Sequence, residues 1–348
     1  MARVKPSSTE QPSLCIFPRL EGLGGPASFR ARLAAGLARR GIQVHQDPSD
    51  PSCRAVLVIG ATRHLVEILR AKRAGLRLVQ RLNGMNWVHR RRQTGLKHYL
   101  RSEWNNYILA FTRRYLADAV VYQSGFARTW WQTVYGGVRA PGKVIYNGVD
   151  LAEFSPQGPA GLPEGRLRLL LVEGRLGGGY EIGLENAVGL ALRLQRLVPQ
   201  PVELVVVGEV PESLRLRCEH EAPGMLRWQG VVPRGDIPTF DRSAHLLFSA
   251  DLNAACPNAV IEALACGLPV ISFATGSLPE LVDPSAGRVV PWGSNYWKLQ
   301  PPDLDGLAQA AAFVLSDLPR FRLGARARAE EAFDVENMVE KYLEVLVV

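Results

Sequence analysis

One segment, Cys256-Pro-Asn-Ala-Val-Ile-Glu-Ala-Leu-Ala-Cys-Gly-Leu-Pro-Val-Ile-Ser272, constrains the fold of this chain more than any other. Its residue order predicts a loop, then a helix over residues 259–266 with Asn258 as its cap. Gly267 is typical of a helix end, and the apolar run that begins at Pro269 predicts a buried strand. A helix that leads through a tight turn into a buried strand indicates an α/β fold with a parallel sheet.

Two features near this segment indicate a ligand. Gly276-Ser277 predicts a second small-residue loop, followed at Leu278 by another helix start. The backbone N–H groups at helix N-termini have no partner within the helix, so two such ends aimed at one place suit an anion. Glu262, on the first turn of the first helix, is placed to accept hydrogen bonds from ribose hydroxyls. The pattern therefore indicates a pocket for a nucleotide sugar.

Three more segments complete a family resemblance. They are residues 24–44, which begin Gly-Gly-Pro-Ala-Ser-Phe; Val144-Ile-Tyr-Asn-Gly-Val-Asp150; and Leu169-Leu-Leu-Val-Glu-Gly-Arg-Leu176 with Val205-Val-Val-Gly208 after it. In order and spacing, the four segments resemble the retaining glycosyltransferases of family 4, which have the GT-B fold. They are similar to the family's first glycine loop, its interdomain crossing, the start of its second domain and its donor-binding signature.

The resemblance implies an α/β architecture of two Rossmann-like domains that face each other across a cleft. We expect an acceptor-side domain over residues 1–148 and a nucleotide-sugar-binding domain over residues 149–330. Residues 331–348 are expected to form a C-terminal helix that packs back on the first domain. A length of 348 residues suits two domains of ordinary size.

Composition narrows the cellular setting. No apolar run approaches 18 residues, so no transmembrane helix is expected. The polar start, residues 1–8, lacks the apolar core of a signal peptide. Five cysteines, an odd number without metal-type spacing, favour a reduced, cytoplasmic setting.

The resemblance also implies the chemistry, which is transfer of a hexose from a UDP- or GDP-sugar to a glycan or glycolipid with retention of configuration. In this family the leaving phosphate oxygen is thought to take the acceptor proton, so that positive potential matters more than a strong base. Metal is usually dispensable for the same reason, and we expect no cofactor beyond the nucleotide sugar. Arg175 is the expected diphosphate cation, because a guanidinium can bind two phosphate oxygens at once.

The expected site residues follow the matched motifs. We expect catalytic roles for Arg175, Asn83 and His89. Asn83 stands at the position of the family's first-domain histidine, and His89 is six residues further on. The expected contacts to the nucleotide are Glu262, Arg175, Gly24, Gly25, Gly276, Ser277 and Val231. The expected contacts to the donor sugar are Asn258, Ala259, Cys256, Asp251 and Asn253.

Departures from the family pattern leave a second hypothesis open. Tyr180 stands where the family usually has a lysine, and no lysine occurs between Lys143 and Lys298 to replace it. Ala254 stands where the family usually has the first of two glutamates. The alternative is therefore a nucleotide-sugar-binding protein of this fold whose transfer activity is weakened.

Residues 85–131 form a basic and aromatic block, with eight Arg or Lys against two acidic residues, in a chain of formal net charge +8. Such a block suits peripheral contact with an anionic membrane or a lipid-linked acceptor. It is equally typical of an acceptor-cleft rim or a solvated face over a core. No nucleic-acid-binding motif is present, so nucleic acid is not expected as a partner.

Overall fold

The computed structural model describes residues 13–19, 24–62 and 64–347. The polar N-terminal residues 1–8 lie outside the described part of the chain. Within the described residues, two parallel six-stranded sheets each carry helices on their faces. Most central strands are short runs of Val, Leu and Ile that are buried on both faces, as parallel strands covered by helices require.

The first sheet lies within residues 13–144 and has the order β2-β1-β3-β4-β5-β6. Its strands are β1 (Ser13–Phe17), β2 (Gln43–His45), β3 (Cys53–Ile59), β4 (Arg77–Leu82), β5 (Ala119–Tyr122) and β6 (Gly142–Val144). The α-helices of this region are α1 (Gly25–Arg39), α2 (Leu65–Arg73), α3 (Leu96–Phe111) and α4 (Gly125–Tyr135). A single wide turn, Thr112–Leu116, continues α3.

The second sheet lies within residues 167–290 and has the order β12-β11-β10-β7-β8-β9. Its strands are β7 (Leu167–Arg175), β8 (Val202–Glu209), β9 (Leu226–Gly230), β10 (Leu246–Phe248), β11 (Val270–Phe273) and β12 (Gly287–Val290). The helices are α5 (Glu181–Leu194), α6 (Glu212–Glu221), α7 (Ile237–Arg242), α8 (Asn258–Ala265), α9 (Leu278–Leu281), α10 (Leu304–Ser316) and α11 (Leu318–Ala332). The strand order reverses between β7 and β10, and ligands of such sheets bind beyond the carboxyl ends of the strands at this point.

The last helix, α12 (Val335–Leu346), returns to the first domain as predicted. The Asp334 carboxylate caps it by accepting a hydrogen bond from the Glu336 N–H at 2.8 Å. Its apolar face joins the core of the first sheet, and its Val339 packs directly over Gly36 of α1. A Cβ at Gly36 would lie 2.4 Å from Val339 Cγ2, so this close helix contact requires glycine. The two-domain α/β GT-B architecture with a returning helix is confirmed.

Three strands escape prediction from the sequence, namely β2, β9 and β12. Each is an outermost strand of its sheet and is only partly buried. An outer strand needs no continuous apolar run, so the sequence pattern does not reveal it. Among the described residues, no helix combines the length and the apolar character needed to cross a membrane.

Candidate functional site

A cleft of about 650 Å³ runs between the two domains at the carboxyl ends of their strands. It includes the point of the second sheet, between β7 and β10, where the strand order reverses. The predicted site residues that line it are Gly24, Gly25, Asn83, Arg175, Val231, Asp251, Asn253, Cys256, Asn258, Ala259 and Glu262. The sequence-based assignment and the folded geometry therefore identify the same cleft.

Two helix N-termini face each other in this cleft. A Cβ built on Gly25, at the start of α1, would lie 3.8 Å from the side-chain Nδ2 of Asn258, at the start of α8. Neither helix has a side-chain cap, which leaves their first N–H groups without a side-chain partner. The prediction that Asn258 caps its helix is wrong, because Asn258 is the first helical residue and Pro257 precedes it. Uncapped N-termini on both walls favour an anion between them.

Asn147, in the crossing segment between the domains, holds the donor loop in place. Its amide nitrogen donates to Asn258 Oδ1 at 3.0 Å and to the Cys256 carbonyl at 2.9 Å. Its backbone N–H donates to Cys256 Sγ at 3.3 Å. The Cys256 thiol is thus a structural contact, and burial raises its pKa to about 12, so it stays protonated.

Glu262 has a cationic partner that the sequence did not indicate. Arg32 of α1 lies 2.5 Å from Glu262 Oε1, and both side chains are buried. Arg32 also donates to the Gly148 carbonyl at 2.8 Å. Arg234 Nη2 lies 3.6 Å from the same carboxylate oxygen. Glu262 therefore joins the domains through an ion pair.

Arg175 lies at the rim of the cleft rather than on its floor. Its side chain is 67% exposed, and its Nε lies 3.7 Å from Glu209 Oε1 on the neighbouring strand. An exposed ion pair at this distance contributes little stability. The guanidinium can therefore exchange this partner for a ligand in the cleft.

An acidic corner occupies the part of the cleft where the family's lysine would stand. Glu173 at the end of β7 and Asp251 after β10 both line the cleft beside Tyr180. Burial and the charge of Asp251 raise the pKa of Glu173 to about 8, and burial raises the pKa of Asp251 to about 6. This corner therefore repels a second negative charge, which the sequence motif alone would not suggest.

Neighbouring polar groups in the cleft also lack partners. The Asn253 amide is buried, and neither its Nδ2 nor its Oδ1 has a hydrogen-bond partner in the described structure. Asn83 Oδ1 is similarly unpartnered, while the Asn83 carbonyl accepts a hydrogen bond from Trp131 Nε1 at 2.7 Å. Across residues 13–19, 24–62 and 64–347, no group of three or more His, Cys, Asp or Glu side chains is placed to hold a metal ion.

His89 does not reach the cleft, contrary to expectation. The imidazole is buried, and its Nε2 lies 2.7 Å from Glu103 Oε1. The same carboxylate accepts two hydrogen bonds from Arg90, at 2.5 and 2.7 Å. Hydrogen bonds from Arg90 lower the pKa of Glu103 to about 2. His89 is therefore the buried member of a polar cluster whose other members, Glu103 and Arg90, reach solvent, and it does not line the cleft.

Gly276 and Ser277 also lie outside the cleft lining. Ser277 is fully buried, and its N–H donates to the Ala254 carbonyl at 2.9 Å. Gly276 has a φ of +60°, and a Cβ there would lie 2.6 Å from the Ala254 backbone. This loop therefore supports the Asn253–Ala254 turn from behind rather than contacting a ligand.

The helix that follows this loop serves the domain contact. Glu280 of α9 accepts hydrogen bonds from Gly125 N at 2.8 Å and from Phe126 N at 2.5 Å, at the start of α4. A carboxylate at a helix N-terminus is stabilised by the helix dipole. The second predicted helix end therefore joins the two domains and does not point into the ligand site.

Arg81 is a buried cleft residue that the motif analysis missed. It lies on β4, two residues before Asn83, and its Nη2 donates to Asn147 Oδ1 at 2.8 Å. The available signal was an arginine at the end of a buried strand, in the segment Leu78-Val-Gln-Arg-Leu82. Together with Arg175 and Arg234, it is one of three cationic residues that line the cleft among the residues described.

The basic and aromatic block of residues 85–131 divides into two parts. Trp87 and Trp130 are buried, and Trp297 of the second domain lies between them, with ring centroids 5.2 Å from each. By contrast, α3 exposes a stripe at helical spacing. The exposed members are Leu96, Leu100, Trp104 and Tyr107, with Lys97 and Arg101 exposed beside them. Of the two parts, the second is the one available to an external partner.

Comparison with known proteins agrees with the geometry. Residues 173–317 match the family model described as Glycosyl transferases group 1. A phosphatidylinositol N-acetylglucosaminyltransferase subunit of Arabidopsis thaliana is 30% identical over 192 residues, which cover 54% of this chain and 40% of that protein. The 2-deoxystreptamine N-acetyl-D-glucosaminyltransferase of Streptomyces fradiae is 27% identical over 193 residues, covering 52% and 43%. The chain thus spans about two fifths of the length of these curated relatives.

Solved structures share the fold over nearly the whole chain. Sucrose-phosphate synthase from Thermosynechococcus elongatus superposes with a TM-score of 0.74 at 18% identity, covering 97% of this chain and 98% of that one. Anabaena Alr3699/HepE in complex with UDP and glucose gives a TM-score of 0.69 at 16% identity, covering 97% and 99%. The resemblance is therefore confirmed: the chain has the GT-B glycosyltransferase fold, and its residues 173–317 match the group 1 glycosyl transferases.

Proposed function

We propose that this protein is a retaining glycosyltransferase that moves a hexose from a UDP- or GDP-sugar to a glycan or glycolipid acceptor. The observation that carries the proposal is the pair of uncapped helix N-termini at Gly25 and Asn258, which face each other beside Glu262. Such an arrangement suits a diphosphate with its ribose at the carboxylate. The GlcNAc-transferase relatives and the UDP complex of a structural neighbour support a nucleotide-sugar donor.

In this proposal the residues of the cleft stabilise the charge that develops on the diphosphate and hold the sugar and acceptor in position. Arg175 approaches the diphosphate from the rim and stabilises the negative charge that develops as the sugar leaves. The leaving phosphate oxygen takes the proton of the acceptor hydroxyl, so no strong protein base is required. Asn83 and Asn253 offer unpartnered amide groups to sugar or acceptor hydroxyls. Five free, buried cysteines accord with action in the reducing cytoplasm.

The proposal is tested with a panel of nucleotide sugars. We expect release of UDP or GDP in the presence of a lipid or glycan extract. We also expect NMR analysis to show that the new linkage has the same anomeric configuration as the sugar in the donor. Inversion of the anomeric configuration would contradict retention. Failure of the protein to bind any of these nucleotides in calorimetry would contradict the whole proposal.

Ala254 and Tyr180 favour one rival, a nucleotide-sugar-binding protein with weakened transfer. Ala254 removes a carboxylate that the family uses, and Tyr180 removes a cation. Tight nucleotide binding without release of nucleoside diphosphate across the full donor and acceptor panel would favour this rival over the enzyme.

The acidic corner predicts how binding depends on pH. Glu173, with its pKa raised to about 8, carries a proton at neutral pH and loses it as the pH rises through that value. A nucleoside diphosphate is already fully ionised above pH 7. We therefore expect UDP affinity to fall roughly threefold to tenfold between pH 7 and 9, which corresponds to about 1 kcal/mol of added repulsion. In Glu173→Gln, titration calorimetry should show a flat profile, and an unchanged slope would exclude this residue as the cause.

We also propose that the exposed stripe of α3 rests on an anionic bilayer that carries the acceptor. The stripe combines Leu96, Leu100, Trp104 and Tyr107 with flanking Lys97 and Arg101. Apolar and aromatic side chains enter the interface while basic side chains meet anionic lipids. A relative named for a phosphatidylinositol acceptor supports this orientation.

Vesicle sedimentation tests the membrane contact. We expect binding to vesicles that contain about 30% phosphatidylglycerol, weak binding to pure phosphatidylcholine, and at least a tenfold loss in Leu100→Ser/Trp104→Ser, about the free energy of burying one large apolar side chain. Leu323→Ser is the matched control, because Leu323 is an exposed leucine on α11, in the second domain. Equal loss in both variants, or none in the first, would contradict the assignment to α3.

A further inference from the structure

Arg81 is a cation buried without a counter-charge. Only 1% of the residue is exposed, and it lines the cleft. Its Nη2 donates to Asn147, but its Nε and Nη1 have no hydrogen-bond partner in the described structure. Among the described residues, no carboxylate forms an ion pair with it. The ring of Phe29 in α1 lies beside it, with its centroid 3.8 Å from the Arg81 guanidinium carbon.

The ionisable groups that act on Arg81 are neutral. They are the Tyr342 hydroxyl of α12 and the Cys256 thiol, and burial raises the pKa of each to about 12. Neither group therefore carries a negative charge at neutral pH. The guanidinium lies among dipoles and an aromatic face rather than beside an anion.

Such a group needs an anion. Burying a charge without a partner is costly, and a structure retains one where a ligand or a specific contact compensates it. Arg113 shows the contrast within the same domain, because its buried guanidinium donates to Tyr122 Oη and to the Gly136 carbonyl, both at 2.9 Å. The Nε and Nη1 of Arg81 have no partner with hydrogen-bond geometry, although the neutral Tyr342 hydroxyl interacts with the guanidinium, and burial lowers the pKa of Arg81.

The surroundings of Arg81 locate the missing anion. Phe29, which stacks on the guanidinium, belongs to the second turn of α1, whose uncapped N-terminus begins at Gly25. Asn147, which accepts the Arg81 hydrogen bond, also donates to Asn258 at the start of α8. The guanidinium thus contacts α1 through Phe29 and is linked to α8 through Asn147.

The opposite corner of the cleft cannot take this anion. Tyr180 occupies the position of the family's lysine, and Glu173 and Asp251 act on it electrostatically. Negative charge placed there would meet two carboxyl groups rather than an ammonium group. Arg81 is the cation that the described part of the first domain places in the lining of the cleft.

We propose that Arg81 supplies, from the first domain, the positive charge on the donor diphosphate that the absent lysine would otherwise supply from the second. This inference rests on the proposed function, because it assumes a nucleoside diphosphate ligand. The buried guanidinium acts at short range in a poorly hydrated wall, where its field is stronger than that of an exposed lysine. Asn147 accepts a hydrogen bond from Arg81 and donates one to Asn258, so it links the guanidinium to the start of α8.

The test compares ligands with and without phosphate. In Arg81→Met we expect affinity for UDP or GDP, whichever the parent binds, to fall at least twentyfold by calorimetry. Affinity for the corresponding nucleoside should stay within twofold. Arg81→Lys should keep most of the difference between diphosphate and nucleoside, because it keeps the charge.

Arg113→Met is the matched control. It removes a buried arginine of the same domain that does not line the cleft, so we expect a lower melting temperature and unchanged preference for diphosphate over nucleoside. Arg81→Met, in contrast, removes an uncompensated charge and should melt no lower than Arg113→Met. At one fixed UDP concentration, the rise in Tm should be larger for the parent and for Arg113→Met than for Arg81→Met.

The remaining outcomes overturn either this inference or the proposed function. Unchanged diphosphate affinity in Arg81→Met would overturn the inference, and so would a parallel loss of nucleoside and diphosphate, which indicates a structural role. Full rescue of Arg81→Met by Tyr180→Lys would place the diphosphate at the acidic corner and overturn it as well. A parent protein that binds no nucleoside diphosphate overturns the proposed function, and this inference with it.

Discussion

Replacing Glu262 by alanine is expected to weaken both the nucleotide site and the fold. The carboxylate is buried against Arg32 at 2.5 Å, so its removal leaves a buried guanidinium without a counter-charge. Breaking a buried pair on one side costs on the order of 3–5 kcal/mol. We expect the free energy of unfolding to fall by about 3 kcal/mol, the lower end, because Glu262 lines the cleft and water can enter the space that its side chain leaves beside Arg32. If Glu262 holds the ribose, UDP or GDP affinity should also fall at least tenfold.

A double-mutant cycle separates these two effects. Arg32→Ala should destabilise the protein by a similar amount while leaving nucleotide affinity within about threefold, since Glu262 remains. The double variant should be less destabilised than the sum of the single variants, because the two charges are removed together. Denaturant unfolding and calorimetry measure the two quantities independently. Full nucleotide affinity in Glu262→Ala would contradict the ribose contact, and additive stabilities would contradict the ion pair.

Arg175→Ala is expected to reduce turnover without affecting folding. The side chain is 67% exposed, and its ion pair with Glu209 is long, so little stability depends on it. Loss of one group that stabilises charge in the transition state typically lowers kcat by about 10²–10³-fold. We therefore expect kcat to fall by roughly 10²-fold, while nucleoside monophosphate affinity changes by less than threefold and the melting temperature is unchanged.

The control for this prediction is Glu209→Ala, which removes the surface partner of Arg175 and keeps the guanidinium. Its turnover should equal or exceed that of the parent, because the arginine no longer exchanges between two anions. Parent-level sugar transfer by Arg175→Ala would assign the leaving-group role to the helix N-termini, to Arg234 or to Arg81. Loss of turnover in both variants would indicate a role for the β7–β8 strand pair itself.

Much of the fold follows from the sequence. A parallel strand buried on two faces must be apolar throughout, so short apolar runs predict the central strands of both sheets. These runs are residues 14–17, 55–59, 76–79, 119–122, 168–173, 202–207, 245–249 and 269–273. The resemblance predicted a returning helix over residues 331–348, and α12 occupies Val335–Leu346 within this range. The outer strands β2, β9 and β12 were missed because a partly exposed strand carries no such run.

The candidate site was predicted where a local motif carries its own geometry. The loop before α8 and the glycine loop before α1 reach the cleft because a strand–loop–helix unit places its loop at the carboxyl end of the sheet. His89 and Ser277 failed as site residues because nearness along the chain does not determine which side of a wall a side chain faces. Both are buried behind the cleft.

The sequence by itself determined an α/β fold with a nucleotide-sugar loop, because periodicity and loop chemistry are properties of short segments. Its resemblance to a known family added the two-domain GT-B arrangement and the cleft between the domains. Only the tertiary structure decided the electrostatics of that cleft. Arg32 forms an ion pair with Glu262, which stands 230 positions later in the chain. Asp251 acts on Glu173 because β7 and β10 are neighbours in the sheet. Arg81 is uncompensated because the described part of the fold places no carboxylate beside it. Charge interactions depend on distance and burial in space, and neither is encoded in the spacing of a motif.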